Sequence, residues 1–211
     1  MLEIGEHTPV EEAVAHVVRV DPAFARVVRA VGPFAPRPPQ VDSFSALARA
    51  IVYQQLAGRA AQAIHGRFTA LYDGHLTAEA ILRTPVEQLR AVGLSSAKAA
   101  SILDLAAKTT DGTVPLDRIE ELGDAEIVQR LVQVRGIGRW TAEMFLIFQL
   151  RRLDVWPVDD LAVRKGYGVI HRLPASPTPK ELDPLGEPFR PYRTVAAWYC
   201  WRATDTVLPE G

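Results

Sequence analysis

Residues 131–165 read LVQVRGIGRWTAEMFLIFQLRRLDVWPVDDLAVRK and hold two features that decide how the whole chain is read. The first is a tight reversal, Gly136-Ile137-Gly138, set between two apolar runs with helical spacing. Glycine suits a sharp turn because it tolerates φ > 0 and lets another backbone come close. A helix beginning at Arg139 would turn its unpaired amides and the positive end of its dipole toward the bend, a ready seat for a phosphate oxygen. Ile137 would point inward and pin the two helices, Thr141 would add a hydroxyl contact, and Arg135 and Arg139 would supply positive charge. The second feature is Pro157-Val158-Asp159-Asp160, placed just before the helix-like run LAVRKGYGVI. Capping a helix needs only one acid, so the other is left to face a cleft.

Outward from this stretch, composition sets the bounds. The chain has 211 residues, of which 48% are hydrophobic, enough to build one large domain or two small ones. No apolar run is long enough to span a bilayer, and the acidic start MLEIGEHTPVEEAVAHVV is unlike a signal peptide. A single cysteine, Cys200, excludes an internal disulfide, a four-cysteine zinc site and an iron–sulfur cluster, and points to a reducing, cytoplasmic setting. The five histidines (His7, His16, His65, His75, His171) lack metal-ligand spacing, so no catalytic metal is assigned.

The net charge of −1 is not that of a strongly basic nucleic-acid binder, but the charge is unevenly spread. Residues 22–72 carry Arg26, Arg29, Arg37, Arg49, Arg59 and Arg67 against the single acid Asp42, whereas residues 78–128 hold nine acids and five bases. Such asymmetry permits one basic face on a near-neutral molecule; ordinary solvated arginines would look the same.

The apolar spacing is helical throughout, with no sustained strand alternation. It predicts helices over 10–19, 22–31, 43–57, 58–72, 77–82, 85–91, 95–108, 124–133, 139–151, 159–170 and 191–204. Asp21-Pro22, Asp42-Ser43, Thr84-Pro85, Ser95 and Asp124 supply starts. Pro-rich connectors cover 33–39 and 174–191.

The bend and its flanks, Val-x-Gly-Ile-Gly-x-Trp-Thr-Ala, resemble the helix-hairpin-helix motif of DNA repair glycosylases. The run Val155-Trp156-Pro157-Val158-Asp159-Asp160-Leu161-Ala162 resembles the Gly/Pro-rich stretch and aspartate that complete that superfamily's signature. With VYQQLAGRAA upstream and PYRTVAAWYCW downstream, residues 43–204 look like the 3-methyladenine DNA glycosylase II family in a short, all-helical version without the extra N-terminal sheet domain of longer members. The resemblance implies an all-α fold of two helical subdomains flanking a DNA-binding cleft. Residues 1–42 plus 151–211 would form one and 43–150 the other, with the hairpin at 131–145.

By position in the signature, Asp160 matches the catalytic aspartate, and Asp159 is the better cap. Breaking an N-glycosidic bond builds positive charge on the sugar. A fixed anion stabilises that state and orients or deprotonates the attacking water. Relatives that also cut the backbone, as endonuclease III does, carry a lysine where this chain has Trp140, and none of its four lysines lies in the hairpin. A Schiff-base route lacks its nucleophile, which implies a monofunctional enzyme that leaves an abasic site.

Trp140 and Trp201 align with the family's pocket aromatics, with Tyr53, Met144 and Trp156 as neighbours. An alkylated purine is cationic, so it gains over an indole face and is a good leaving group. A flipped base leaves a gap in the duplex. The Gln54-Gln55-Leu56 turn falls where the family places its intercalating side chain, with Gln55 or Leu56 as the wedge and Arg59 just beyond. The expected partner is damaged duplex DNA, bound by a monomer with no membrane and no cofactor. Hairpins of this class also hold a structural Na⁺ or K⁺ through backbone carbonyls, here near Gln133, Arg135 and Ile137. Two other readings stay open: a non-catalytic DNA-binding module using the same hairpin, and a glycosylase for oxidised or deaminated bases.

Overall fold

A computed structural model describes residues 9–36, 38–39 and 41–206; Arg37 of the basic stretch and His7 lie outside them. Among the described residues there is no strand, and no helix is long and apolar enough to cross a membrane. The helices are α1 (Pro9–Val20), α2 (Ala25–Val31), α3 (Ser43–Tyr53), α4 (Gly58–Ala70), α5 (Ala78–Leu82), α6 (Val86–Ala91), α7 (Ser96–Thr110), α8 (Asp124–Leu131), α9 (Arg139–Phe148), α10 (Leu161–Ile170), α11 (Pro179–Leu185) and α12 (Arg193–Asp205). Short 3₁₀ turns at Pro22–Phe24, Ile119–Glu121 and Glu187–Phe189 complete the set.

The chain divides into two compact units. One comprises the described residues before Pro38 together with those from Arg151 onward; the other is Pro38–Leu150. Gln149 Nε2 donates to the Val41 carbonyl (3.0 Å), which ties residue 41 to the second unit, so the division falls before the 42–43 boundary expected from sequence.

In the first unit α10 and α12 pack most closely. Gly166 makes this possible: a Cβ there would drive into the backbone of Cys200. Around them Ala13 and Val17 of α1, Phe24, Val163, Ile170, Val195 and Tyr199 form the core. The Tyr199 hydroxyl is satisfied by the Gly32 carbonyl at 3.0 Å. In the second unit α7 packs against α3, α5 and α6, and α9 against α3 and α8. Leu47, Ile51, Phe68, Ile81, Leu89, Ile102, Leu105 and Ile127 are fully enclosed or nearly so, each contributing about 1.5–3 kcal/mol.

Caps place most helix starts where the sequence put them. Asp42 accepts from the Ser45 amide, Ser95 from that of Lys98, and Asp21 from that of Ala23. Four differences matter. The helix expected over 43–57 stops at Tyr53, because Gln54 turns extended (ψ 134°) and Gln55 goes left-handed (φ 54°). The segment 22–31 opens with a 3₁₀ turn before α2. The helix expected from 159 begins at Leu161. The Pro-rich 174–191 stretch contains α11, where Pro179 takes the first helical turn and Thr178 and Glu181 form a reciprocal capping box.

Candidate active site

The hairpin is built from α8, a bend and α9. The Ile137 amide donates to the Val134 carbonyl (3.0 Å) and closes the bend. Gly136 sits at φ +79°, and a Cβ there would also lie 2.7 Å from Ser101 Oγ on α7, so both conformation and space demand glycine. Ile137 is buried at 4% exposure, the inward pin expected of it. Gly138 is extended and supplies no side-chain cap to α9. Thr141, expected to add a hydroxyl contact, is buried. Arg135 and Arg139 are exposed, but Arg139 Nε already pairs with Glu143 Oε1 (2.8 Å), whose side chain is almost wholly enclosed.

The bend is strapped to α7. Asp104 Oδ2 accepts from the Arg135 amide (2.7 Å), while Asp104 Oδ1 takes the Lys108 ammonium (2.6 Å). Burial pushes the Asp104 carboxyl up, but the Arg135 amide and Lys108 outweigh it and hold it below the usual carboxylate value. The carbonyls of Gln133 and Arg135 receive no backbone hydrogen bond among the described residues. The Ile137 carbonyl likewise receives none, so all three residues expected near a monovalent cation present oxygen acceptors of the kind such an ion takes.

The Gln54-Gln55-Leu56 turn follows α3. Gln54 Nε2 donates to the Gly136 carbonyl (2.9 Å), so this turn and the hairpin bend are directly joined. Lys98 of α7 donates to the carbonyls of Val52 and Gln54, both at 2.7 Å, closing the end of α3. Burial lowers the Lys98 ammonium pKa. Gln55, Leu56 and Arg59 are exposed around the apex. Tyr53 is half-buried, edge-on to His65 and beneath the Arg49 guanidinium at 4.6 Å. On α9, Trp140 is 46% exposed, and half-buried Met144 lies one turn on along the same face.

In the other unit the segment before α10 is fixed from α12. The Arg193 guanidinium holds Asp154 (Nε–Oδ1 2.6 Å), and the Thr194 hydroxyl accepts from the Val155 amide (3.0 Å) while donating to the Arg152 carbonyl (2.8 Å). Trp156, expected beside the base pocket, is core instead. It is 5% exposed, its indole donates to the Leu182 carbonyl, and its ring occupies the space that a side chain at Gly186 would need.

Asp160 then delivers its carboxylate to the start of α10. Oδ1 accepts from the amides of Ala162 and Val163 (2.9 Å each) and from Trp201 Nε1 (3.0 Å), in a side chain only 7% exposed. The expected division of labour is therefore reversed: Asp160 is the cap and Asp159 is exposed. The reason is backbone direction, since the Pro157–Asp160 turn (Asp160 amide to Pro157 carbonyl, 3.0 Å) makes residue 160 the last extended position before the helix. Trp201, half-buried, reaches the carboxylate because α12 runs so close to α10 at Gly166. The charge is felt nearby. Burial raises the Cys200 thiol pKa well above its ordinary value, and the charges of Asp21 and Asp160 add to the rise.

The sequence reading missed Lys98, Ser101, Asp104, Glu143 and Thr194. Only the i,i+4 pairs Asp104–Lys108 and Arg139–Glu143 carry a signal that spacing could reveal.

Three comparisons bear on this arrangement. Residues 48–191 match the family described as HhH-GPD superfamily base excision DNA repair protein. The chain is 39% identical over 202 residues to DNA-3-methyladenine glycosylase 1 of Schizosaccharomyces pombe, covering 93% of this chain and 89% of that one. It is 32% identical to the alkylbase DNA glycosidase-like protein mag2 of the same organism, covering 91% and 92%. Among solved structures, S. pombe 3-methyladenine DNA glycosylase (Mag1) in complex with abasic DNA superposes with a TM-score of 0.79 at 40% identity, over 90% of this chain and 95% of that one. A DNA-3-methyladenine glycosidase from Bacillus halodurans superposes with a TM-score of 0.84 at 31% identity, over 93% and 89%.

Proposed function

Because this chain belongs to the HhH-GPD superfamily of base excision DNA repair proteins, we propose that it is a monofunctional DNA glycosylase that removes alkylated purines from duplex DNA. Relatives named as 3-methyladenine glycosylases, one of them solved on abasic DNA, support that substrate class. The observation that carries the reading is Asp160, a nearly enclosed carboxylate held by two helix amides and an indole.

The α9 amides and Arg135 take the phosphates of the damaged strand. The lesion is turned out of the stack, and the exposed Gln55–Leu56 apex fills the space it leaves. Trp140 in one unit and Trp201 in the other each carry an indole face suited to a cationic base, a contact worth about 0.5–2 kcal/mol. The C1′–N bond breaks with its electron pair going to the base, which leaves neutral. Positive charge grows on the sugar, and the Asp160 anion, already oriented and poorly screened, stabilises it. Water adds to C1′ and releases its proton, leaving an abasic site. Trp140 stands where lyase members resemble one another in carrying lysine, so no amine adduct forms and the backbone stays intact. Where a monovalent cation binds, the carbonyls of Gln133, Arg135 and Ile137 would hold it, and the ion would add positive charge at the bend. The protein acts as a monomer on damaged DNA.

The decisive experiment is to incubate the protein with methylated duplex DNA and identify the released bases by chromatography. Wild type should release 3-methyladenine and 7-methylguanine without strand cleavage. Asp160→Asn should reduce release by at least about 10³-fold, the scale of removing a charge that acts in the transition state, while binding abasic DNA within a few-fold. Tight, salt-sensitive binding by wild type with no base released would instead identify a non-catalytic binding module.

A further inference from the structure

Helix α7 carries three contacts at three-residue spacing, and each reaches a turn assigned to DNA. Lys98 ligates the carbonyls of Val52 and Gln54, Ser101 lies directly under Gly136, and Asp104 accepts from the Arg135 amide. The two turns are joined to each other as well, through Gln54 and the Gly136 carbonyl. Phosphate grip and wedge are thus built on one support.

Lys98 is the contact in this set that reaches the turn carrying the wedge. Gln55 sits at φ 54°, a left-handed conformation costing a non-glycine residue about 1–2 kcal/mol, and it persists only where its surroundings impose it. The flanking carbonyls are held by an ammonium at the negative end of the α3 dipole, a charge-assisted arrangement stronger than a neutral cap. We propose that Lys98 is a positioning residue for base eversion: by ligating the Val52 and Gln54 carbonyls it fixes the left-handed Gln55 apex, tied through Gln54 to the Gly136 bend, in the geometry that enters the duplex. This rests on the glycosylase reading above. Lys98 itself touches neither base nor sugar in this role and serves only the step that replaces the base in the stack.

A wedge matters in proportion to the stacking and pairing it must replace. The test therefore compares single-turnover release of 7-methylguanine paired with cytosine against the same lesion opposite an abasic analogue, where eversion is cheap. Lys98→Met should slow release from the paired duplex by about tenfold or more and from the unpaired one by less than about threefold. Lys98→Arg, which keeps the charge and its donors, should restore most of the paired rate. A 2-aminopurine placed beside the lesion should brighten on binding wild type and K98R but not K98M. Should K98M fail to melt cooperatively, Lys98→Gln is read on the same two substrates. Equal losses on both duplexes would mean that Lys98 merely stabilises the fold, and unchanged rates on both would mean that it does nothing for eversion; either overturns the proposal. Wild-type protein that releases no base from either duplex would overturn the glycosylase reading, and this one with it.

Discussion

At the scale of the residue, an acid at the start of α10 was legible, but which of the two acids caps the helix was not. The signature ending in Asp-Asp pointed to residue 160, yet which acid would cap depended on where the Pro157 turn released the chain, a backbone property that one sequence does not show. The pairing of Asp160 with Trp201 was hidden too, because it spans 41 residues and requires the close approach of α10 to α12 at Gly166. That indole makes a specific prediction. Trp201→Phe keeps an aromatic ring but removes the indole donor to Oδ1. A hydrogen bond to a charged group is worth about 1.5–3 kcal/mol, so release should fall by roughly tenfold or more if the indole fixes the carboxylate for the reaction. Single-turnover release with saturating enzyme measures this directly. An unchanged rate would show that the indole bond is dispensable for the reaction. Trp156 teaches the converse lesson: a tryptophan within the signature is a core residue when its N–H has a buried carbonyl to meet, here that of Leu182.

At the scale of the element, helix existence followed from periodicity and caps, whereas boundaries followed from turns that periodicity ignores. The end of α3 is set by a left-handed glutamine, a conformation that no composition rule assigns to that residue. α11 lay inside a Pro-rich stretch because proline breaks a helix interior but suits its first turn. The strap between α7 and the hairpin was equally unreadable, since Asp104 lies 31 residues from the amide it accepts. Its consequence can be measured. The Asp104 carboxyl is held below its usual value in the fold, so its contribution is complete above the ordinary carboxylate range, about pH 4, and is lost as pH falls through the depressed folded value. Asp104→Asn should therefore lower the melting temperature relative to wild type at pH 7, and the gap should shrink on acidification toward pH 3. A gap that stays constant with pH would mean that the strap is not electrostatic.

At the scale of the whole molecule, the proposed excision of alkylated purines raises the question of what protonates a departing base. The partners fixed on Asp160 Oδ1 are two amides and an indole, groups that hold their protons throughout the physiological range. On the proposed reading Asp160 supplies the anion for the sugar and the indoles supply aromatic faces suited to a cation, but nothing among these groups protonates a departing base. Selection then falls on the lesion itself. A base already positive at N3 or N7 needs no proton to leave, whereas a neutral lesion must depart as an anion or draw its proton from water. Release should accordingly rank 3-methyladenine and 7-methylguanine well above hypoxanthine or ethenoadenine, by at least about 10²-fold, the lower end of what general acid catalysis supplies where it is present. Side-by-side single-turnover rates on duplexes differing only in the lesion decide the matter. Neutral bases leaving as fast as cationic ones would require an acid elsewhere in the molecule and would shift the origin of selectivity from lesion chemistry to pocket shape.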